Sequence, residues 1–127
     1  MLYNVATRGP LTVNVDASHW HDYETGVFNG CDYDKNIDVN HVVVLQGYGT
    51  DPQYGDYWLI RNSWGTVYGE DGYIRLKRES DAEVQCGVDQ TPLDGTACQG
   101  QNFNQTVCGQ CAILLDSAYP LNARVIN

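Results

Sequence analysis

The chain has 127 residues, enough for one domain, and its 43% of hydrophobic residues can supply a core. Its formal net charge is −9, an acidic surface that argues against nucleic acid or an anionic membrane as partner. No apolar run approaches the roughly 18 residues of a membrane-spanning helix.

In chain order, residues 1–7 read as the tail of a helix stopped by Gly9-Pro10. They lack the basic and apolar regions of a secretory signal. Leu11–Val15 alternates apolar and polar residues, as a half-buried strand does. Residues 17–30 carry Trp20, Tyr23, Gly26, Phe28 and Gly30 and read as a packed loop. Residues 42–48 are β-branched and apolar, a buried strand. Residues 49–56 hold Gly, Asp and Pro and read as a turn. Strands are expected again over 57–61 and 72–77, with a loop over 65–71. Residues 79–110 are poor in aliphatics and read as an irregular loop pinned by disulfides; 111–121 turn apolar again. The fold class expected is mainly β: a small antiparallel sheet or barrel with turns every 8–12 residues.

Five cysteines in so short a chain suit an oxidising compartment. Disulfide-type cysteine usage behind a start without a signal suggests that Met1 lies inside a longer protein. The odd count leaves one thiol free or paired elsewhere. Cys108-Gly109-Gln110-Cys111 also fits a redox pair or half of a zinc site, but no second Cys/His pair at zinc spacing accompanies it. Asn104-Gln105-Thr106 is an N-glycosylation acceptor if the chain is secreted.

The chemistry concentrates in residues 38–66, DVNHVVVLQGYGTDPQYGDYWLIRNSWGT. Thiol proteolysis needs a thiolate, an imidazole beside it as base and acid, and a third group that fixes the imidazole's tautomer. His41 at a strand entrance suits the imidazole. Asn62, at the end of the following strand, suits the orienter, because an amide oxygen holds the ring without a second negative charge. Trp64 is placed to shield the pair from water. Each residue also has an ordinary reading: a satisfied structural histidine, a turn asparagine, a packing tryptophan. Spacing alone leaves these alternatives open.

The segments GPLTVNVDA, GVFNGC, VNHVVVLQGYGT, YWLIRNSWGTVYGEDGYIRLKR and CAILLDSAYP, in this order, resemble the C-terminal half of a papain-family, cathepsin L-like cysteine peptidase. The resemblance covers nearly all of the chain. It implies the β-rich half of an α+β parent fold over residues 1–127, barrel-like and antiparallel, with a disulfide-pinned loop insertion. By resemblance His41 is the catalytic base and Asn62 its orienter, supported by Trp64, Ser63 and Asn40. A specificity pocket would draw on Asn14, Val39 and Asp116, and an acidic Asp116 at its floor would admit basic side chains. Cys31 resembles a family half-cystine with Cys111 as its partner, while the pairing among Cys86, Cys98 and Cys108 is left open.

In this family the nucleophile lies roughly 130–150 residues before the His/Asn pair, within C-G-[SA]-C-[WY]. Only forty residues precede His41, and that signature is absent. The nucleophile and the glutamine of the oxyanion hole are therefore expected on an N-terminal half outside this sequence. The implied activity is cysteine-type endopeptidase action with no metal or organic cofactor. Expected partners are a peptide or protein substrate, the N-terminal half, and a propeptide or protein inhibitor. The expected location is lysosomal, vacuolar or secreted. The alternative is a truncated or pseudoenzyme chain serving as a binding or structural module. Half a cleft alone would expose an apolar interface, so poor solubility in isolation is expected.

Overall fold

The computed structural model describes residues 1–94 and 103–121. A two-turn helix, α1 (Leu2–Arg8), ends at Gly9, whose φ of 104° breaks the helical path before Pro10. The strands follow as β1 (Leu11–Val15), β2 (Val27–Phe28), β3 (His41–Asp51), β4 (Gly55–Arg61), β5 (Tyr73–Lys77), β6 (Cys86–Asp89), β7 (Gln105–Cys108) and β8 (Ser117–Ala118). A single turn of 3₁₀ helix, Gln110–Ala112, lies between β7 and β8.

Six strands form one sheet in the order β2-β5-β4-β3-β1-β8. All neighbours are antiparallel except β2 and β5. The sheet is mainly antiparallel, as expected, but open: the two-residue strands β2 and β8 are its edges, so "barrel" describes its curvature only loosely. Alternation builds the core. Leu11, Val13 and Val15 of β1 are at most 1% exposed, and Val43, Leu45, Trp58, Ile60, Ile74 and Leu76 join them from β3, β4 and β5. Each such side chain contributes on the order of 1.5–3 kcal/mol of burial. Trp20, fully buried from the loop after β1, closes the core and donates its indole N–H to Cys111 Sγ at 3.4 Å.

Two expectations about secondary structure change. β3 does not stop at Tyr48: its ladder with β4 continues through Gly49↔Tyr57 to Asp51↔Gly55. The sequence reads as a turn there because it is rich in glycine, yet Gly49 belongs to the strand. A Cβ on it would lie 2.5 Å from the Tyr57 hydroxyl, so only glycine admits that ring across the ladder. The reversal is confined to residues 52–54, where Asp51 Oδ1 accepts the N–H groups of Gln53 and Tyr54. The second change is in residues 79–110, which contain a β6–β7 ribbon rather than only irregular loop. Cys86 and Cys108 face each other in its register and are disulfide-bonded, so the crosslink is also the strand pair.

Cys31 is bonded to Cys111, as the resemblance implies. Cys108 and Cys111 thus have separate partners, which removes both the redox-pair and the zinc readings of that motif. Cys98 lies outside the described residues. A second apolar cluster, Ile37, Val107 and Ala112, packs the ribbon under the segment that leads into β3. No helix among the described residues is long and apolar enough to cross a membrane.

Candidate active site

β3 begins at His41, and Asn62 immediately follows the last residue of β4. Because β3 and β4 are antiparallel neighbours, the start of one and the end of the other share a rim of the sheet. There His41 Nε2 lies 2.9 Å from Asn62 Oδ1. The same oxygen accepts the backbone N–H of Ser63 at 2.8 Å. An atom that accepts from an obligatory donor must be the carbonyl oxygen of the amide, so Nε2 must carry the proton of the neutral ring. Nδ1 is then the lone-pair nitrogen, and among the described residues it has no hydrogen-bond partner. The imidazole is held by one nitrogen and presents the other as a base.

Trp64 stacks on His41, with centroids 5.3 Å apart and planes 29° apart. Its indole covers the ring on one side. Tyr68 meets Trp64 edge-on at 5.0 Å, and burial pushes the Tyr68 hydroxyl up to about 12, so it stays neutral. Asn62 Nδ2 and Tyr68 Oη are buried polar neighbours whose contact falls short of full hydrogen-bond geometry, and neither has another partner among the described residues. Ser63 is exposed and serves through its main chain.

Asn40 has a different place from the one its position beside His41 suggests. Its side chain turns away from the imidazole: Oδ1 accepts the N–H of Ala17 at 3.1 Å, and Nδ2 donates to Ser18 Oγ and Asp38 Oδ2. Its own N–H donates to the carbonyl of Val15. Asn40 thus fastens the entrance of β3 to the end of β1.

Of the three residues assigned to a specificity pocket, two meet. Asn14 Nδ2 donates to Asp116 Oδ2 at 3.0 Å. Asp116 is exposed in this chain. Val39 packs on the second apolar cluster, and its N–H donates to the buried Asp89 carboxylate at 3.4 Å.

Three residues near the site escaped sequence reasoning. Asp16 is 5% exposed and accepts the N–H groups of Ser18 and Asp38, bracing the loop that leads to His41. Trp20 approaches the His41 ring edge-on at 6.4 Å. His21 stacks on Trp64 at 4.7 Å, 4° from parallel. The aromatic richness of residues 17–30 was the one signal for Trp20 and His21, and it indicates packing without indicating against what; Asp16 had none.

The rim is open beyond His41. Val42 and Val44 are 49% and 37% exposed, and with Thr12, Arg61, Asn62 and Ser63 they line a shallow groove beside the pair. The sulfurs of Cys31, Cys86, Cys108 and Cys111 are all in disulfides and cannot be the nucleophile.

A family model described as papain family cysteine protease matches residues 1–96. A cathepsin L-like protein of Caenorhabditis elegans is 45% identical over 89 residues, covering 66% of this chain and 25% of that protein. A probable cysteine protease of Arabidopsis thaliana is 35% identical over 114 residues, 90% of this chain and 23% of its own length. Among solved structures, a Carica candamarcensis cysteine protease in complex with E-64 superposes with a TM-score of 0.61 at 32% identity, over 97% of this chain and 43% of its own. Bromelain from Ananas comosus, in complex with the E-64 inhibitor, gives 0.56 at 43% identity, over 64% of this chain and 36% of its own. The chain belongs to the papain family of cysteine proteases. It spans about a quarter of the length of the curated relatives it matches.

Proposed function

We propose that this chain supplies the histidine and asparagine of a cysteine-type endopeptidase whose nucleophilic thiol resides on a segment outside these 127 residues. The observation that carries this is the polarity of the His41–Asn62 hydrogen bond: Nε2–H is committed to Asn62 Oδ1, and Nδ1 is left as the base. The thiol proton passes to Nδ1, and the resulting thiolate attacks the peptide carbonyl carbon. As the C–N bond breaks, Nδ1–H protonates the departing amine. Water, deprotonated by Nδ1, then cleaves the thioester and returns the thiol. Asn62 keeps the ring in register throughout, and Trp64 excludes water from their hydrogen bond.

The substrate is a peptide or protein lying across the His41 rim. Asn14 and Asp116, hydrogen-bonded to each other, contribute a polar edge to the subsite beside it, with Val39 as apolar support. Because Asp116 is exposed, its preference for a basic over an apolar side chain is worth only a few-fold, the scale of a solvent-exposed ion pair. Asp116→Ala tests this, with Arg- and Phe-containing substrates compared. The remaining partners are the thiol-bearing half, which covers Val42 and Val44, and a propeptide or inhibitor on the same cleft. The disulfides support a lysosomal, vacuolar or secreted location.

The test is thiol labelling by E-64 of a papain-family N-terminal half carrying the C-G-[SA]-C-[WY] segment, with and without this chain. Faster labelling with the chain, lost with His41→Ala, is expected. Equal rates despite complex formation would favour the non-enzymatic binding module instead.

A further inference from the structure

Asn104-Gln105-Thr106 is the one Asn-x-Ser/Thr motif in the 127 residues, and the chemistry of the His41 rim makes no use of it. Its setting decides whether a glycan is compatible with the fold. Val107 of β7 is 1% exposed and faces the Ile37–Ala112 cluster. Thr106 beside it is exposed, and Asn104, two residues earlier and just before the strand, is exposed as well. Side chains two apart in an extended chain share a face, so acceptor and hydroxyl both lie on the solvent side of the ribbon. The buried face carries none of the motif's reactive atoms.

A further feature agrees. The Cys31–Cys111 and Cys86–Cys108 disulfides are those of a protein matured in an oxidising lumen, where N-glycosylation takes place.

We propose that Asn104 is an N-glycosylation site whose glycan stands on the outer face of the β6–β7 ribbon. The Asn104 amide nitrogen attacks C1 of a lipid-pyrophosphate-linked oligosaccharide. The N–C1 bond forms, the C1–O bond to pyrophosphate breaks, one amide proton passes to a base, and lipid pyrophosphate leaves. The modification is independent of the peptidase reading, since it needs neither His41 nor a thiol.

The test is translation of the full chain behind a cleavable signal into microsomes, read on molecules shielded from added protease. Expected is a mobility shift of one glycan, removed by peptide N-glycosidase with aspartate left at position 104. The shift is lost with Asn104→Gln and with Thr106→Val, and kept with Thr106→Ser. Shielded chains with asparagine intact at 104, or a shift that survives Thr106→Val, would overturn the assignment.

Discussion

Two regions of the sheet are finished differently. On the outer β5 side, mid-strand, Arg75 uses Nε and Nη2 for Glu70 and Nη1 for Asp51, with all three contacts at 2.7–2.8 Å. Glu70 also accepts from Thr25 and from the N–H of Gly26, tying in the loop before β2. At the His41 rim, by contrast, Nδ1 has no partner among the described residues, and Val42 and Val44 face solvent. The Arg75 cluster completes its own hydrogen bonds and holds the fold together. A region that leaves them open needs something else, and in this chain that open region is also where the catalytic residue types sit.

The contrast can be broken by substitution. His41→Ala, in the chain assembled with a thiol-bearing half, should lower peptide hydrolysis on the order of 10²–10⁴-fold, the range of general acid–base catalysis. Its denaturation midpoint should move little, because a half-buried rim residue is not a core residue. A large loss of stability would erase the distinction between the two regions.

Trp20→Ala should do the reverse. Removing a fully buried indole costs about 3–5 kcal/mol in denaturant unfolding. Some rate loss should follow from the missing edge contact to His41, smaller than that of His41→Ala.

Replacing Cys86 and Cys108 together by alanine should cost about 2–4 kcal/mol by the same measurement, because the bond closes a 22-residue separation. The loss should be local to the ribbon, visible as faster amide exchange in β6 and β7 and not in β4.

Glu70→Gln has the smallest effect and is specific to pH. Hydrogen bonds from Arg75 lower the Glu70 carboxyl from 4.5 to about 2. A depressed carboxylate stabilises the fold above its unfolded value and loses that contribution as pH falls through the folded one. Stability should therefore drop between pH 4.5 and about 2, by about 1 kcal/mol once solvent screening is allowed for. The Gln variant should lack that part of the slope.

How legible each part was from sequence follows from how local its cause is. Leu11–Val15 and the strands around Trp58 and Ile74 were readable because alternation within one segment fixes which side is buried. β2 and β8, two residues each, exist only because a neighbouring strand is there to pair with. The ribbon escaped notice because polar residues and glycine fill it, and its pairing is set by a disulfide between residues 22 apart. At the site, His41, Asn62 and Trp64 were readable as a motif. The tautomer was not, since it depends on the Ser63 N–H reaching Asn62 Oδ1 in the folded chain. Nor was the bracing by Asp16, whose partner Asp38 is 22 residues away.

The most direct measurement is peptide hydrolysis by the 127-residue chain alone, by a thiol-bearing papain-family N-terminal half alone, and by the two mixed. Thiol-dependent turnover only in the mixture, abolished by His41→Ala, is the predicted result. Turnover by the chain alone, or activity of the mixture that survives His41→Ala, would contradict the claim that His41 and Asn62 form one half of a divided site.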